Sequence, residues 1–283
     1  MIHAPHLSDL ALHYDALLCD VWGVIRGGRN DLYTPALDAL VKFRAQGGTV
    51  VLLSNSPRRA SSLISHLTQI GAPREAFDAA VSSGEATFAE LKRRAPGPAY
   101  KLGPDFDDPL YAGAGLDFAA LADARFISCT GLLDYETETP DDYQDLLREA
   151  AGLGLPMVCA NPDIVVQLGD KLAFCAGSLA QLYDALGGET IILGKPNPPI
   201  YELAFKTLTD LRGRPVNKAR VLAIGDGPAT DLRGAMGAEL DSLFIADGVV
   251  ADQMRDGFSL ERAKAILADE GVSATYAAPA LVW

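Results

Sequence analysis

Positive charge is scarce in this sequence: 24 Lys and Arg stand against 37 Asp and Glu, for a net charge of −13. Such a field repels polyanions, which argues against nucleic acid and anionic membrane as partners. Long apolar runs are missing too. Runs such as 50–53 and 221–224 fall far short of the ~18 residues that a membrane-spanning helix needs. The opening MIHAPHLSDLALHYD has neither the basic start nor the long apolar stretch of a secretion signal, so a cytoplasmic location is the expectation. Cysteine is sparse. Cys19, Cys129, Cys159 and Cys175 are widely separated, show no CxxC spacing, and lie mostly in apolar surroundings; they are expected as reduced, buried thiols that pack like small hydrophobes. The four histidines, His3, His6, His13 and His66, lie away from the polar clusters described below, and no catalytic imidazole is assigned.

What remains is a chain of 283 residues that is 49% hydrophobic, a composition that excludes disorder and supports a real core. At about 150 residues per domain, its length suggests two domains. Short apolar runs alternate with helix-period segments: strands at 16–19, 49–53 and 79–82, and helices at 35–46 and from 57 to 70. Thr34 is placed to cap the first helix, with Pro35 at its first position and Gly47 and Gly48 beyond its end. The alternation returns with strands at 190–193, 220–224 and 243–246, separated by helices at 198–211 and 228–236. Continuous apolar strands between helices indicate a parallel sheet covered on both faces. The middle of the chain differs in texture, with Pro- and Gly-rich joints, the acidic stretch DYETETPDD, and its own strand candidates at 125–129, 156–159 and 164–168. The expected organisation is a core at 1–85 and 189–283, with an inserted domain at 86–188. The tail YAAPALVW is apolar and is expected to pack on the core or on a second copy of the chain.

Ligands of open parallel sheets bind beyond the carboxyl ends of the strands, so polar residues directly after apolar runs are the candidates. Four places qualify. In LLCDVWGV, Asp20 ends a strand and Gly23 permits a tight turn. In VLLSNSPRR, Ser54 and Asn55 follow an apolar run, a position that suits either an anion site or a helix N-cap. In IILGKPNPPIY, Lys195 is held between Gly194 and Pro196 as a fixed positive charge. In VLAIGDGPATD, Asp226 lies between two glycines and Asp231 follows five residues on. Oxygen ligands of this kind suit a hard cation such as Mg2+.

Taken in order, Asp20-Val-Trp-Gly-Val, Ser54-Asn55, Gly194-Lys195-Pro196 and Gly225-Asp226 with Asp231 resemble the four motifs of the haloacid dehalogenase superfamily. The insert between the second and third motifs, and the string GKPNPPIY, resemble its class IIA subgroup, which includes nucleotide, sugar and pyridoxal phosphatases. The resemblance implies an α/β fold: a Rossmann-like parallel-sheet core carrying an inserted, smaller α/β cap domain. It further implies a phosphatase of small phosphorylated metabolites that forms an aspartyl-phosphate at Asp20, with Ser54 and Lys195 binding the phosphoryl oxygens. Asp20, the Trp22 carbonyl, Asp226 and Asp231 would hold Mg2+, and Gly23 and Asn55 would shape the loop. Asn161 and Asp163, in the segment Asn161-Pro162-Asp163, resemble the cap loop that selects substrate.

Trp22 departs from the pattern. Phosphatases of the family have a second Asp there, which protonates the leaving oxygen and then activates water; an indole does neither. Such acid–base help is worth about 10²–10⁴-fold, so slow turnover is expected unless another group, Asp163 or Glu136, takes over the role. Three readings follow: a phosphatase, a catalytically degenerate protein that binds a phosphorylated metabolite or partner, and a dehalogenase. A dehalogenase needs no metal cage, and Asp226 is retained. A phosphonate-cleaving relative would need a cap lysine, for which Lys101 and Lys171 are the available residues.

Overall fold

The protein, as a computed structural model, is described over residues 1–27, 31–168, 171–255 and 257–283. In chain order the strands are β1 (Ile2–His3), β2 (Ala16–Cys19), β3 (Thr49–Ser54), β4 (Ala79–Ser82), β5 (Ala99–Leu102), β6 (Phe126–Cys129), β7 (Met157–Cys159), β8 (Val165–Leu168), β9 (Lys171–Phe174), β10 (Thr190–Ile192), β11 (Val221–Gly225), β12 (Asp241–Ile245) and β13 (Tyr276–Ala278). The α-helices are α1 (Thr34–Ala45), α2 (Ala60–Gln69), α3 (Ser83–Arg94), α4 (Gln144–Gly152), α5 (Ala176–Ala185), α6 (Pro198–Arg212), α7 (Arg233–Gly237) and α8 (Leu260–Asp269). The chain divides into two compact units. The first comprises Met1–Ser54, Leu63–Val81 and Lys195–Trp283, and the second Asn55–Ser62 and Ser82–Gly194. No described helix is long and apolar enough to cross a membrane.

The first unit is built on a seven-stranded sheet in the order β1-β13-β12-β11-β2-β3-β4. Neighbours from β1 across to β3 run parallel. Every residue of β2, β3 and β11 is buried, as strands covered on both faces require. On one face, Leu18, Val51 and Ala223 pack with Ile200, Tyr201, Ala204 and Leu208 of α6. Elsewhere in the unit, Phe244 and Ala277 pack with Ala263 and Leu267 of α8. The apolar tail forms β13, inserted between β12 and β1 of the same chain, with Leu281 buried beyond it.

The second unit holds a four-stranded sheet in the order β10-β7-β6-β5, all parallel, and an antiparallel hairpin of β8 and β9. Strand periodicity divides its interior. Ile127, Cys129, Met157 and Cys159 face Leu147 of α4 and Leu179 of α5. The alternate residues Phe126 and Val158 join Leu91 of α3 in a separate cluster. All four cysteines are free and buried.

Three sequence expectations differ from the structure. Strand 190–193, assigned to the core sheet, is β10 and pairs with β7 in the second unit, because the apolar texture of TIIL does not name a partner strand. The second unit runs 82–194 with 55–62. Helix α2 starts at Ala60 rather than 57, because Ser56 and Arg58 are used elsewhere: the Ser56 carbonyl accepts from Gly84 N, the Arg58 carbonyl from Ser82 Oγ, and the Ala60 N–H is taken by Glu85. Thr34 is the first helical residue of α1 and makes no side-chain cap.

Leu18 is 1% exposed at the centre of the larger sheet. Leu18→Ala should lower the unfolding free energy by about 2–5 kcal/mol, measured by urea titration against wild type.

Candidate functional site

Parallel pairing fixes where the strand ends meet. Cys19, the last residue of β2, is level with Ile224 of β11 on one side and Leu52 of β3 on the other. Asp20 therefore lies one residue beyond the ladder, with Asp226 two beyond Ile224 and Ser54 two beyond Leu52, all on the carboxyl edge. Chain order runs outward in opposite directions from β2 and β11, which makes this the switch point where such sheets bind ligands.

Lys195, which follows Gly194 ahead of α6, reaches this edge. Its ammonium donates to Asp20 Oδ1 at 2.5 Å and to Asp231 Oδ1 at 2.6 Å, and its side chain is 2% exposed. Asp231 stands in a π-helical turn, Pro228–Leu232, and its Oδ2 accepts from Gly227 N at 3.1 Å. Asp226 Oδ2 accepts from Val249 N at 2.6 Å. Glycine makes the room. A Cβ on Gly23 or on Gly248 would lie 2.0 Å from Asp226 Oδ2, and one on Gly225 would lie 2.2 Å from Asp231 Cγ. Gly23 also has φ +78°, a conformation that L side chains disfavour.

Burial pushes the Asp20 carboxyl well above its ordinary range; Lys195 opposes this, while Asp231 and Asp226 reinforce it. Burial, then the charge of Asp231, raises Asp226 to about 7. For Lys195, burial acts downward, but the Asp20 and Asp231 carboxylates more than offset it and hold the ammonium well above its usual value.

Asp20, Asp226 and Asp231 each place one carboxylate oxygen within 4.8 Å of the others. Three buried carboxylates against one ammonium leave a formal charge of −2 and an all-oxygen donor set, which fits a hard divalent cation.

Trp22 is half-buried, and the Arg26 guanidinium lies 3.9 Å from its ring centroid. The turn between them is closed by Gly23 N donating to Arg26 O at 2.8 Å. Ser54 is fully buried at the end of β3. Asn55, Asn161 and Asp163 belong to the second unit, where Asn55 Nδ2 donates to Asp163 Oδ1 at 2.8 Å and Asp163 N donates to Asn161 Oδ1 at 3.2 Å. Glu136 is exposed, its N–H donating to Asp134. Lys101 is ion-paired with Asp105 and Asp108, and the Lys171 side chain lies outside the described residues. Sequence reasoning missed Gly248 and Val249, although Asp247-Gly248 after an apolar run carries the same signature as Asp226-Gly227.

An α/β protein with an acidic, lysine-bridged centre at its sheet switch point is the class that fold and site define. Residues 17–117 match the haloacid dehalogenase-like hydrolase family and residues 192–270 the HAD-hydrolase-like family. A crystal structure of a haloacid dehalogenase-like hydrolase from Brucella suis 1330 is 38% identical, covers 99% of this chain and 100% of that one, and superposes with a TM-score of 0.88. The chain belongs to the haloacid dehalogenase superfamily, in its class IIA branch. It is also 27% identical over 247 residues to the D-glycerol 3-phosphate phosphatase of Mycobacterium tuberculosis (strain ATCC 25618 / H37Rv), a match covering 86% of this chain and 66% of that protein, just under two thirds of its length. A glycerol phosphate phosphatase from Mycobacterium tuberculosis, solved in complex with calcium, is 26% identical with a TM-score of 0.62, covering 85% of this chain and 68% of that one.

The raised Asp226 fixes two signs. In the metal-free protein its folded-state value of about 7 exceeds the ordinary 3.8, so stability should fall as pH rises through that window. Asp226→Asn should then raise the metal-free melting temperature at pH 8 and abolish the further rise on adding MgCl2, both read by scanning calorimetry. Because cation ligands must be deprotonated, Mg2+ affinity in wild type should weaken below about pH 7, read by isothermal titration.

Proposed function

We propose that this protein hydrolyses small phosphate monoesters, of the sugar or polyol phosphate kind, through an aspartyl-phosphate at Asp20 and with Mg2+ held by Asp20, Asp226, Asp231 and the Trp22 carbonyl. The observation that carries this is the Lys195 ammonium shared between Asp20 and Asp231 beside a third buried carboxylate. A phosphate dianion cannot approach a carboxylate nucleophile unless positive charge offsets the repulsion. The bound cation would supply the remaining charge, drawing electron density from the phosphoryl group.

The hydrogen bonds also support Asp20 as the nucleophile. Asp231 has both oxygens engaged, by Lys195 and by Gly227 N, and Asp226 Oδ2 is held by Val249 N. Asp20 has one oxygen on Lys195 and keeps the other without a hydrogen bond among the described residues. That oxygen attacks phosphorus, the ester P–O bond breaks, and the leaving alkoxide takes a proton from solvent water; a water then cleaves the aspartyl-phosphate to phosphate, restoring Asp20. Ser54 and Lys195 bind the phosphoryl oxygens, and Gly23 and Asn55 shape the loops beside them. In the second unit, Asn161 and Asp163 are proposed as substrate-binding. The named activities of the mycobacterial relatives agree with this reading.

Trp22 favours a second reading, binding without efficient turnover. Its ring, stacked with Arg26, offers no carboxyl to protonate the leaving oxygen. A panel of phosphorylated metabolites assayed with Mg2+ and with chelator decides the matter: metal-dependent phosphate release that Asp20→Asn abolishes supports the enzyme, and ligand binding without release supports the second reading. Trp22→Asp should raise the rate by about 10²-fold or more. A folded but inert variant would overturn the explanation for slow turnover.

A further inference from the structure

The residues gathered around Lys195 have no proton to spare. Asp20 and Asp231 share its ammonium, Asp231 also accepts from Gly227 N, and Asp226 accepts from Val249 N. Carboxylates that hold a cation must be without their protons. Lys195 cannot give one up without leaving two buried carboxylates unpaired, which is costly. Trp22 offers an indole N–H, a hydrogen-bond donor and not an acid. Without a further side chain, solvent water alone must protonate the departing oxygen.

Strand register points to such a side chain. Gly225 of β11 is level with Phe244 of β12, and Ile224 with Cys19 of β2, in the strand order β12-β11-β2. The chain that continues past each strand end therefore sets Asp247, Asp226 and Asp20 in that order along one carboxyl edge, all within the first unit. Two strand spacings are about 9–10 Å. A phosphate ester seated beside Asp226 thus has Asp20 on one flank and Asp247 on the other, as a nucleophile and an acid acting on opposite sides of phosphorus require.

Backbone contacts hold Asp247 in this place. Ala246 N donates to Ala278 O at 3.0 Å and Asp247 N to Pro279 O at 2.9 Å, which extends the pairing of β12 with the C-terminal segment. The next residue is Gly248. A Cβ on Gly248 or on Gly23 would lie 2.0 Å from the same oxygen, Asp226 Oδ2. Residues 22 and 247 each stand one position before a glycine pressed on Asp226; one is an indole and the other a carboxyl. Asp247 is exposed, and its carboxyl makes no hydrogen bond or ion pair among the described residues. Its charge and that of Asp226 both act on the Tyr33 phenol, so the two carboxyls lie near one group. Partial burial raises the Asp247 carboxyl, the direction that suits an acid working near neutral pH.

We propose that Asp247 is a further catalytic residue, the acid that protonates the oxygen leaving phosphorus. As Asp20 attacks and the ester P–O bond breaks, the Asp247 proton passes to the departing oxygen, which leaves as the alcohol. The Asp247 carboxylate then takes a proton from the water that cleaves the aspartyl-phosphate, and the cycle closes with one ester and one water consumed. A carboxyl at position 22, two residues from Asp20, adds a second donor and so still raises the rate.

This role rests on the phosphatase reading, and one experiment separates the two. It measures kcat/KM with MgCl2 for glycerol 3-phosphate, phenyl phosphate and 4-nitrophenyl phosphate, whose leaving groups need a proton in decreasing degree. Asp247→Asn should lower the value by about 10²-fold for glycerol 3-phosphate, less for phenyl phosphate, and hardly at all for 4-nitrophenyl phosphate. A merely structural role would lower all three alike. In the Trp22→Asp background the loss should shrink, because the two carboxyls then duplicate one task. Equal losses across the three esters, an unchanged value for glycerol 3-phosphate, or a wild type that cleaves 4-nitrophenyl phosphate alone would overturn the role of Asp247 and leave the phosphatase reading standing. A wild type that releases phosphate from none of the three overturns that reading, and the role of Asp247 with it.

Discussion

The ammonium of Lys195 is the constraint on which the larger unit depends. Its two short contacts tie the loop after β2 to the turn after β11, residues far apart in sequence that the parallel ladder already brings level. Buried carboxylates are costly unless paired, and removing one partner of such a pair typically costs about 3–5 kcal/mol. One lysine among three carboxylates is incomplete compensation. The glycines at 23, 225 and 248 exist in this setting to let the acidic groups crowd together, which ordinary packing would avoid. An arrangement that costs stability and leaves negative charge over is intelligible as a seat for a cation and a phosphate.

The two units use one device twice. Each is a parallel sheet whose interior is apolar and whose polar residues gather past the carboxyl ends of the strands. In the larger sheet the edge is acidic and bridged by an ammonium. In the smaller one it holds Thr130 after β6 and Asn161 after β7. Backbone groups at strand ends are released from the ladder and the chain turns there, so functional side chains can be placed without disturbing the core.

Much of this was legible in the sequence where a signal was both local and strong. Strands 16–19 and 79–82 were bounded correctly because apolar runs end on polar residues there, and α6 to within one residue because Pro198 and Gly213 bracket it. The four polar clusters were visible for the same reason. Pairing was not. Thr190–Ile192 reads like any buried strand, and only its neighbour reveals which sheet it joins. The strands β1 and β13 are two and three residues long and carry no periodicity to detect. Val249 acts through its backbone N–H, to which residue type is no guide. Asp107 drew no notice in the sequence, since its burial comes from the tertiary packing of the 105–111 turn.

The larger unit is discontinuous, and that governs the order in which it can be made. Asp20 and Lys195 are 175 positions apart, which at roughly 5–20 residues per second is about 9–35 s of translation. Throughout that interval the nascent chain holds the first acidic group with neither its counter-ion nor β11, and by its end every residue of the smaller unit, up to Gly194, has been made. The smaller unit can therefore settle first on the ribosome, and closure of the larger sheet waits on the arrival of a single lysine and the strand that follows it.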